Sequence, residues 1–394
     1  MTRVDRSGQS TPCDLLVTGG RVIDPSRGID ERTDIAVGHG RIIGYGQALE
    51  RNAATTILDA SGLIVTPGLI DLHTHLYAGV SELGVVADAT CLPAGVTTAV
   101  DAGSAGSSTF PGFLDYCIRP STTRILAFLN LARIGLILDD GTELGADLRY
   151  ADVTAAARTI GGAKDTLIGI KVRVGEKNVG PHGLKPLRLA IDAASEAGCK
   201  IMVHLTSTPL AVAEILAILR PGDIVTHAFH RSGNGIVDAG RVLPAVRAAR
   251  ERGVLFDVGH GSGSFAFETA RAALRDGFPP DTISTDLHTH SIKGPVFDLP
   301  TTMSKLLALG MPLAEVIAAV TRTPARIVGL DDEIGTLAVG ACADLALLRL
   351  EDGAWELTDS LGVTLPARQR LFAAGTVRNG AVVGRPQADA MAGA

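Results

Sequence analysis

The chain has 394 residues, 46% of them hydrophobic and only 4% aromatic, with a formal net charge of −6. That length predicts two domains, or a barrel with an accessory unit. The acidic balance implies neither nucleic acid nor an anionic membrane surface as a partner, and the lack of a run of about 18 apolar residues predicts no membrane span. The five cysteines (Cys13, Cys91, Cys117, Cys199, Cys342) are scattered without a CxxC pair, which predicts reduced thiols and a cytoplasmic location. Met1 to Pro12 is polar, so no signal peptide is expected.

Residues from about 13 to 66 read as short strands punctuated by turns, such as Leu15-Leu16-Val17-Thr18 before Gly19-Gly20 and Asp34-Ile35-Ala36-Val37 before Gly38-His39-Gly40. A small antiparallel β unit is expected there. The pattern then changes to strands alternating with amphipathic helices. Strands are predicted at 69–75, 97–102, 124–131, 167–173, 200–205, 223–228, 253–258 and 282–286. Helical stripes include Leu187, Ala190, Ile191 and Ala194, and again Ala239, Val242, Leu243 and Val246. Eight such units over roughly 270 residues match an α/β (β/α)8 TIM-type barrel, typically about 250 residues long. Strand character returns at Gly340 to Leu348 and in a hairpin from Phe372 to Val383 turning at Arg378-Asn379-Gly380. These strands are expected to join the N-terminal unit in one β-sandwich, so that residues 1–66 and 336–394 flank a barrel of residues 67–335. From Gln387 onward the chain reads as disordered.

Asp71-Leu72-His73-Thr74-His75 ends the apolar run Leu63 to Ile70. Residues two apart on a strand share a face, so His73 and His75 converge on one point, as metal ligands would. A bare HxH more often marks histidines satisfied by backbone or solvent. Four later residues tip the balance: Lys171, His204, His227 and Asp286 each fall at or near the end of a predicted strand, where barrel enzymes place their chemistry. Imidazole and carboxylate suit Zn²⁺. An ammonium does not bind a cation, so Lys171 is the odd member of the set, and its plain reading is a buried ion-pair partner of Asp286.

This set, HxH, Lys, His, His and Asp on successive strands, resembles the amidohydrolase superfamily, specifically its binuclear members such as dihydroorotases, hydantoinases and isoaspartyl dipeptidase. The resemblance implies two divalent metal ions, zinc for preference, and a carbamate formed on Lys171 by CO₂ (N6-carboxylysine). His73, His75 and Asp286 would hold one metal, His204 and His227 the other, and Lys171 would bridge them. A hydroxide between the metals would attack a carbonyl carbon, with Asp286 shuttling the proton. The mononuclear deaminase branch is disfavoured, because His204 is followed by Leu205-Thr206-Ser207-Thr208 and not by the glutamate that branch uses.

Cyclic-amide enzymes of this kind often carry HxHxR, where this chain has Tyr77. By strand alternation Tyr77 and Arg173 point to the mouth above His75 and Lys171, and both are candidate substrate contacts. The loops His230-Arg231-Ser232-Gly233-Asn234-Gly235 and Gly259-His260-Gly261-Ser262-Gly263-Ser264 add His230, Arg231 and His260, and His288 follows Asp286. Stretches around Val100-Asp101-Ala102-Gly103, Asp257-Val258-Gly259-His260 and Thr285-Asp286-Leu287-His288 resemble the amidohydrolase/deacetylase branch, whose members hydrolyse acetyl esters of α-hydroxy acids such as acetylated (R)-mandelate. The expectation is a hydrolase of a small acyl ester or amide bearing a carboxylate. A dihydroorotase- or hydantoinase-like activity is the alternative, and a non-catalytic scaffold is disfavoured by the complete ligand set. A small molecule is the expected partner, and self-association is left open.

Overall fold

The computed structural model describes residues 13–46, 54–138 and 143–383. The polar N-terminus and the tail from Gln387 lie outside the described residues.

A seven-stranded parallel sheet curls around the centre. Its strands are β1 (Leu69–Thr74), β2 (Val96–Gly106), β3 (Arg124–Asn130), β4 (Leu167–Arg173), β5 (Lys200–His204), β6 (Ile224–Thr226) and β7 (Leu255–Phe256). Near-continuous apolar runs suit strands buried on both faces; β2, for instance, is buried throughout. The segment 282–286, expected as the eighth strand, is not a regular one. It closes the ring through the isolated bridges Asp257↔Thr282 and Thr74↔Leu287. The predicted strand at 253–258 likewise shrinks to Leu255–Phe256. Asp257, next along, is fully buried and turns its carboxylate to side-chain hydroxyls, and Gly259 and Gly261 follow at φ of 48° and 53°, outside strand geometry.

Helices pack around this sheet. Lys185–Ala197 buries Leu187, Ala190 and Ala194 as its periodicity predicts. The stripe expected from Ala239 does not form one helix. Ala239 and Gly240, both at positive φ, turn a two-residue hairpin, and the helix starts only at Pro244, where the ring's fixed φ suits a first helical position.

Two further sheets pack together beside the barrel, the first from the N-terminal region alone and the second from both chain regions. One contains Cys13–Thr18, Asp34–Gly38, Arg41–Gly46 and Ala54–Asp59. The other, six-stranded, runs from Ala381–Val382 and Thr364–Arg378 through Leu345–Thr358 to Ile64–Pro67, Arg21–Asp24 and Ile29–Arg32. Leu15, Val17, Ile35 and Val37 pack against Leu345, Leu347 and Val377 between them. The N-terminal unit is not purely antiparallel as expected. Cys13–Thr18 pairs parallel with Ala54–Asp59, and Arg21–Asp24 parallel with Ile64–Pro67. Such pairings join segments far apart in sequence, which turn signals between neighbours do not encode. Among the described residues no helix is long and apolar enough to cross a membrane.

Candidate metal centre

Alternation along β1 carries His73 and His75 to its C-terminal end, and the ring closure lays Asp286 beside them. Its backbone N–H donates to the His73 carbonyl at 2.7 Å. Asp286 Oδ1 lies 3.3 Å from His73 Nε2 and 3.2 Å from His75 Nε2, and all three residues are buried. Ligand atoms of these residues lie within 4.8 Å of one another, a spacing that suits a single cation. Asp286 (φ 50°) and His227 (φ 64°) both occupy left-handed backbone, a cost that structures tend to retain at functional sites.

The rings are oriented from behind. His73 Nδ1 meets Thr226 Oγ1 at 2.7 Å, and Thr226 donates to Asp257 Oδ2 at 2.7 Å. Asp257 also accepts from Thr282 and Ser284. His75 Nδ1 meets Ser104 Oγ at 2.9 Å, and Ser104 N–H is held by Asp101 at 2.7 Å. His227 Nδ1 donates to the Gly259 carbonyl at 2.6 Å, leaving a buried Nε2 with no hydrogen-bond partner among the described residues. Such outer contacts fix which nitrogen of a ring can ligate a metal. Thr226, Asp257, Ser104 and Asp101 were not singled out from the sequence as site residues. Asp101 and Asp257 do fall in the stretches that carry the deacetylase resemblance, with Ser104 just after the first of them, while Thr226 has only its position near a predicted strand end.

His204 and His227 stand next to the triad. Their ring centroids are 4.2 Å apart, and His227 lies 4.9 Å from His73. His204 Nε2 meets Thr206 Oγ1 at 2.8 Å, which leaves Nδ1 for another partner. The Lys171 amine, from β4, lies between: Nζ meets His73 Nε2 at 3.3 Å and Met202 Sδ at 3.5 Å rather than a carboxylate. The expected alternative of a Lys171–Asp286 ion pair is therefore not what the amine makes.

Charge follows burial. Desolvation lowers the Lys171 amine from 10.5 to about 7, with Asp286 opposing. It holds His204 and His73 well below the ordinary imidazole value and takes His227 to about 3. Burial alone would raise the Asp286 carboxyl; His73, His75 and His288 outweigh it and keep the group well below the usual carboxylate range. Burial thus favours neutral imidazoles at His73, His204 and His227 beside an ionised Asp286, the forms in which these groups bind cations.

A cavity of about 420 Å³ opens onto this cluster, within the usual range for a small-molecule site. Arg173, His204, His288 and His290 line it with Lys171 and Asp286, and Leu83 and Leu136 supply apolar surface. Arg173 and His288 therefore sit where the sequence placed them. Other expected contacts lie elsewhere. Tyr77 is buried against Phe113 and donates to the Thr109 carbonyl at 3.0 Å. His230 and Arg231 line a separate cavity of about 410 Å³; Arg231 pairs with Glu268 at 3.2 Å, and His230 is buried against Ser232. His260 stacks on Phe265 beneath the cavity wall.

The Amidohydrolase family model matches residues 64–385. A deacetylase of Agrobacterium fabrum is 38% identical over 375 residues, covering 94% of this chain and 92% of its own. A solved structure described as a dihydroorotase superposes with a TM-score of 0.87 at 37% identity, covering 95% of this chain and 99% of the other. Another, described as an adenine deaminase, gives 0.87 at 32% identity, with 94% and 99% covered. A barrel carrying a His-His-Asp cluster at its strand ends, in this company, defines a metal-dependent hydrolase. The chain belongs to the amidohydrolase family.

Proposed function

We propose that the protein is a binuclear metal-dependent hydrolase of small acyl esters or amides bearing a carboxylate, with O-acetyl α-hydroxy acids as its preferred class. The observation that carries the binuclear reading is the Lys171 amine. It is buried and stands 3.3 Å from a histidine nitrogen of the metal cluster, and its hydrogen-bond partners among the described residues are His73 and Met202 rather than a carboxylate. A neutral amine at that point takes up CO₂ and becomes an anion with two oxygens, which suits a position between two cations. The orphaned His227 Nε2 supports the same reading. His73, His75 and Asp286 would hold one cation, His204 and His227 the second, with the Lys171 carbamate between.

Bound divalent cations supply Lewis acidity, acidifying water and polarising a carbonyl. The chain's own residues do the rest. Asp286, ionised and facing the cavity, accepts the proton of the attacking water and returns it to the leaving oxygen or nitrogen. The Arg173 guanidinium pairs with a substrate carboxylate and fixes the carbonyl's orientation. The volume of the cavity, about 420 Å³, suits a small molecule.

The 38%-identical deacetylase supports removal of an acyl group over opening of a cyclic amide. Tyr77 supports it too: cyclic-amide enzymes use that position for an arginine, whereas here the ring faces away into the core. A cyclic-amide hydrolase is the second reading, favoured by the superposition on a structure described as a dihydroorotase. Enzyme loaded with zinc in bicarbonate should be assayed against O-acetyl α-hydroxy acids, N-acetyl amino acids, dihydroorotate, hydantoins and adenine. Turnover fastest on the acetyl esters is expected; preference for a cyclic amide would replace the reading with the second one.

A further inference from the structure

Lys305 is fully buried and belongs to none of the metal-centre contacts described above. It projects from the helix Leu299–Ala308, and its amine donates to His260 Nε2 at 2.8 Å and to the Pro295 carbonyl at 2.7 Å. His260 Nδ1 faces the Gly261 carbonyl at 2.9 Å, a group that can only accept, so the ring proton sits on Nδ1 and Nε2 accepts from the Lys305 amine. The same corner is tied from a second direction, since Ser360 Oγ stands 3.2 Å from both the His260 and Gly261 carbonyls.

Gly261 is the point where this packing reaches the chemistry. Its N–H donates to the Thr285 carbonyl at 2.9 Å, one residue before Asp286. A Cβ built on it would stand 2.4 Å from Asp286 Oδ2. The Gly261 backbone therefore backs directly against the carboxylate, and its position limits where that oxygen can go. His260 is too far inside the wall to touch substrate: it is fully buried and stacked on Phe265.

We infer that Lys305 is a positioning residue: acting through His260, it holds the Gly261 backbone against the Asp286 carboxylate and so fixes the proton-transferring group. Burial of an amine is costly unless its hydrogen bonds are made, and here one acceptor, His260, lies just before the stretch whose Ser262, Gly263 and Ser264 line the cavity. The inference rests on the role of Asp286 proposed above.

The test compares Lys305→Met, Gly261→Ala and their double variant, each zinc-loaded, on the best substrate of the panel, with Asp286→Asn as reference. Positioning predicts that Lys305→Met keeps its metal content and a KM within about twofold of wild type while kcat falls about 10- to 100-fold. It also predicts that the double variant loses little more than Gly261→Ala alone, because both act through one carboxylate. If Lys305→Met does not fold, His260→Phe is read in its place; it keeps the stack on Phe265 and removes the nitrogen acceptor. Normal kcat in folded, metal-replete variants, or losses that multiply in the double variant, would overturn the inference. Near-normal kcat in Asp286→Asn would instead overturn the role of Asp286 itself.

Discussion

His227 Nδ1 and the Gly259 carbonyl oxygen are 2.6 Å apart, closer than most neutral hydrogen bonds in the protein. The contact commits the ring's proton to the backbone and leaves the lone pair on the buried Nε2. A side chain on Gly259 would collide with both Thr226 Oγ1 and His227 Nδ1. A backbone position open only to glycine thus sets the tautomer of a histidine on another strand.

Lys171→Ala should lose most of its bound metal and its activity, because the proposed bridging anion goes with the amine. Formate, acetate or propionate in millimolar amounts should restore part of both. Elemental analysis of wild-type protein prepared with bicarbonate should give about two metals per chain; one per chain would reduce the site to the His73, His75 and Asp286 triad.

Arg173→Met separates recognition from chemistry. Hydrogen bonds to charged groups contribute about 1.5–3 kcal/mol, so kcat/KM on an acylated hydroxy acid should fall roughly 10- to 150-fold. The methyl ester of the same acid should be affected far less. Equal losses on both would make Arg173 a structural ion-pair residue.

Thr226→Val keeps the shape of the side chain but breaks the line from His73 Nδ1 to Asp257. Metal affinity should drop about 10- to 100-fold, as for other groups that orient metal-binding histidines, measured by competition with a chromogenic chelator. Unchanged affinity would mean that packing alone orients His73.

Lys305 gives stability a pH signature. Burial lowers its amine from 10.5 to about 7, with Asp359 and Asp298 opposing. From about pH 7 to 10 the unfolded chain therefore binds the proton that the folded protein has released, so stability rises with pH across that window and its cost is largest below it. Lys305→Met removes the effect. The difference in urea unfolding free energy between wild type and variant should shift towards wild type between about pH 7 and pH 9.5; a pH-independent difference would show an ordinary amine.

Much of the centre is legible in the sequence because strand alternation is a local rule. His73 lies on one strand with His75 one residue past its end, Lys171 and Arg173 lie on another, and all reach the cluster or its cavity. The rule fails where the strand stops. β1 ends at Thr74, and the chain then bends, with Leu76 N–H captured by Asp101, so the alternation that aimed Tyr77 at the mouth no longer applies. His230 and Arg231 sit on a loop, which has no period to read. The Thr226–Asp257 line was hidden for another reason: each residue is ordinary alone, and the partnership exists only once β6 and the segment after β7 are side by side.

The irregular segment ending at Asp286 joins the ring by one isolated bridge on each side, Asp257↔Thr282 and Thr74↔Leu287, and the second marks a seam beside β1. The triad draws two ligands from one lip of that seam and one from the other. A bound cation is consequently a clasp as well as a reagent. Stripping it should loosen the barrel first at this edge, so that amide protons of Asp286 and His75 exchange sooner in metal-free protein than those in β3 and β4 across the ring.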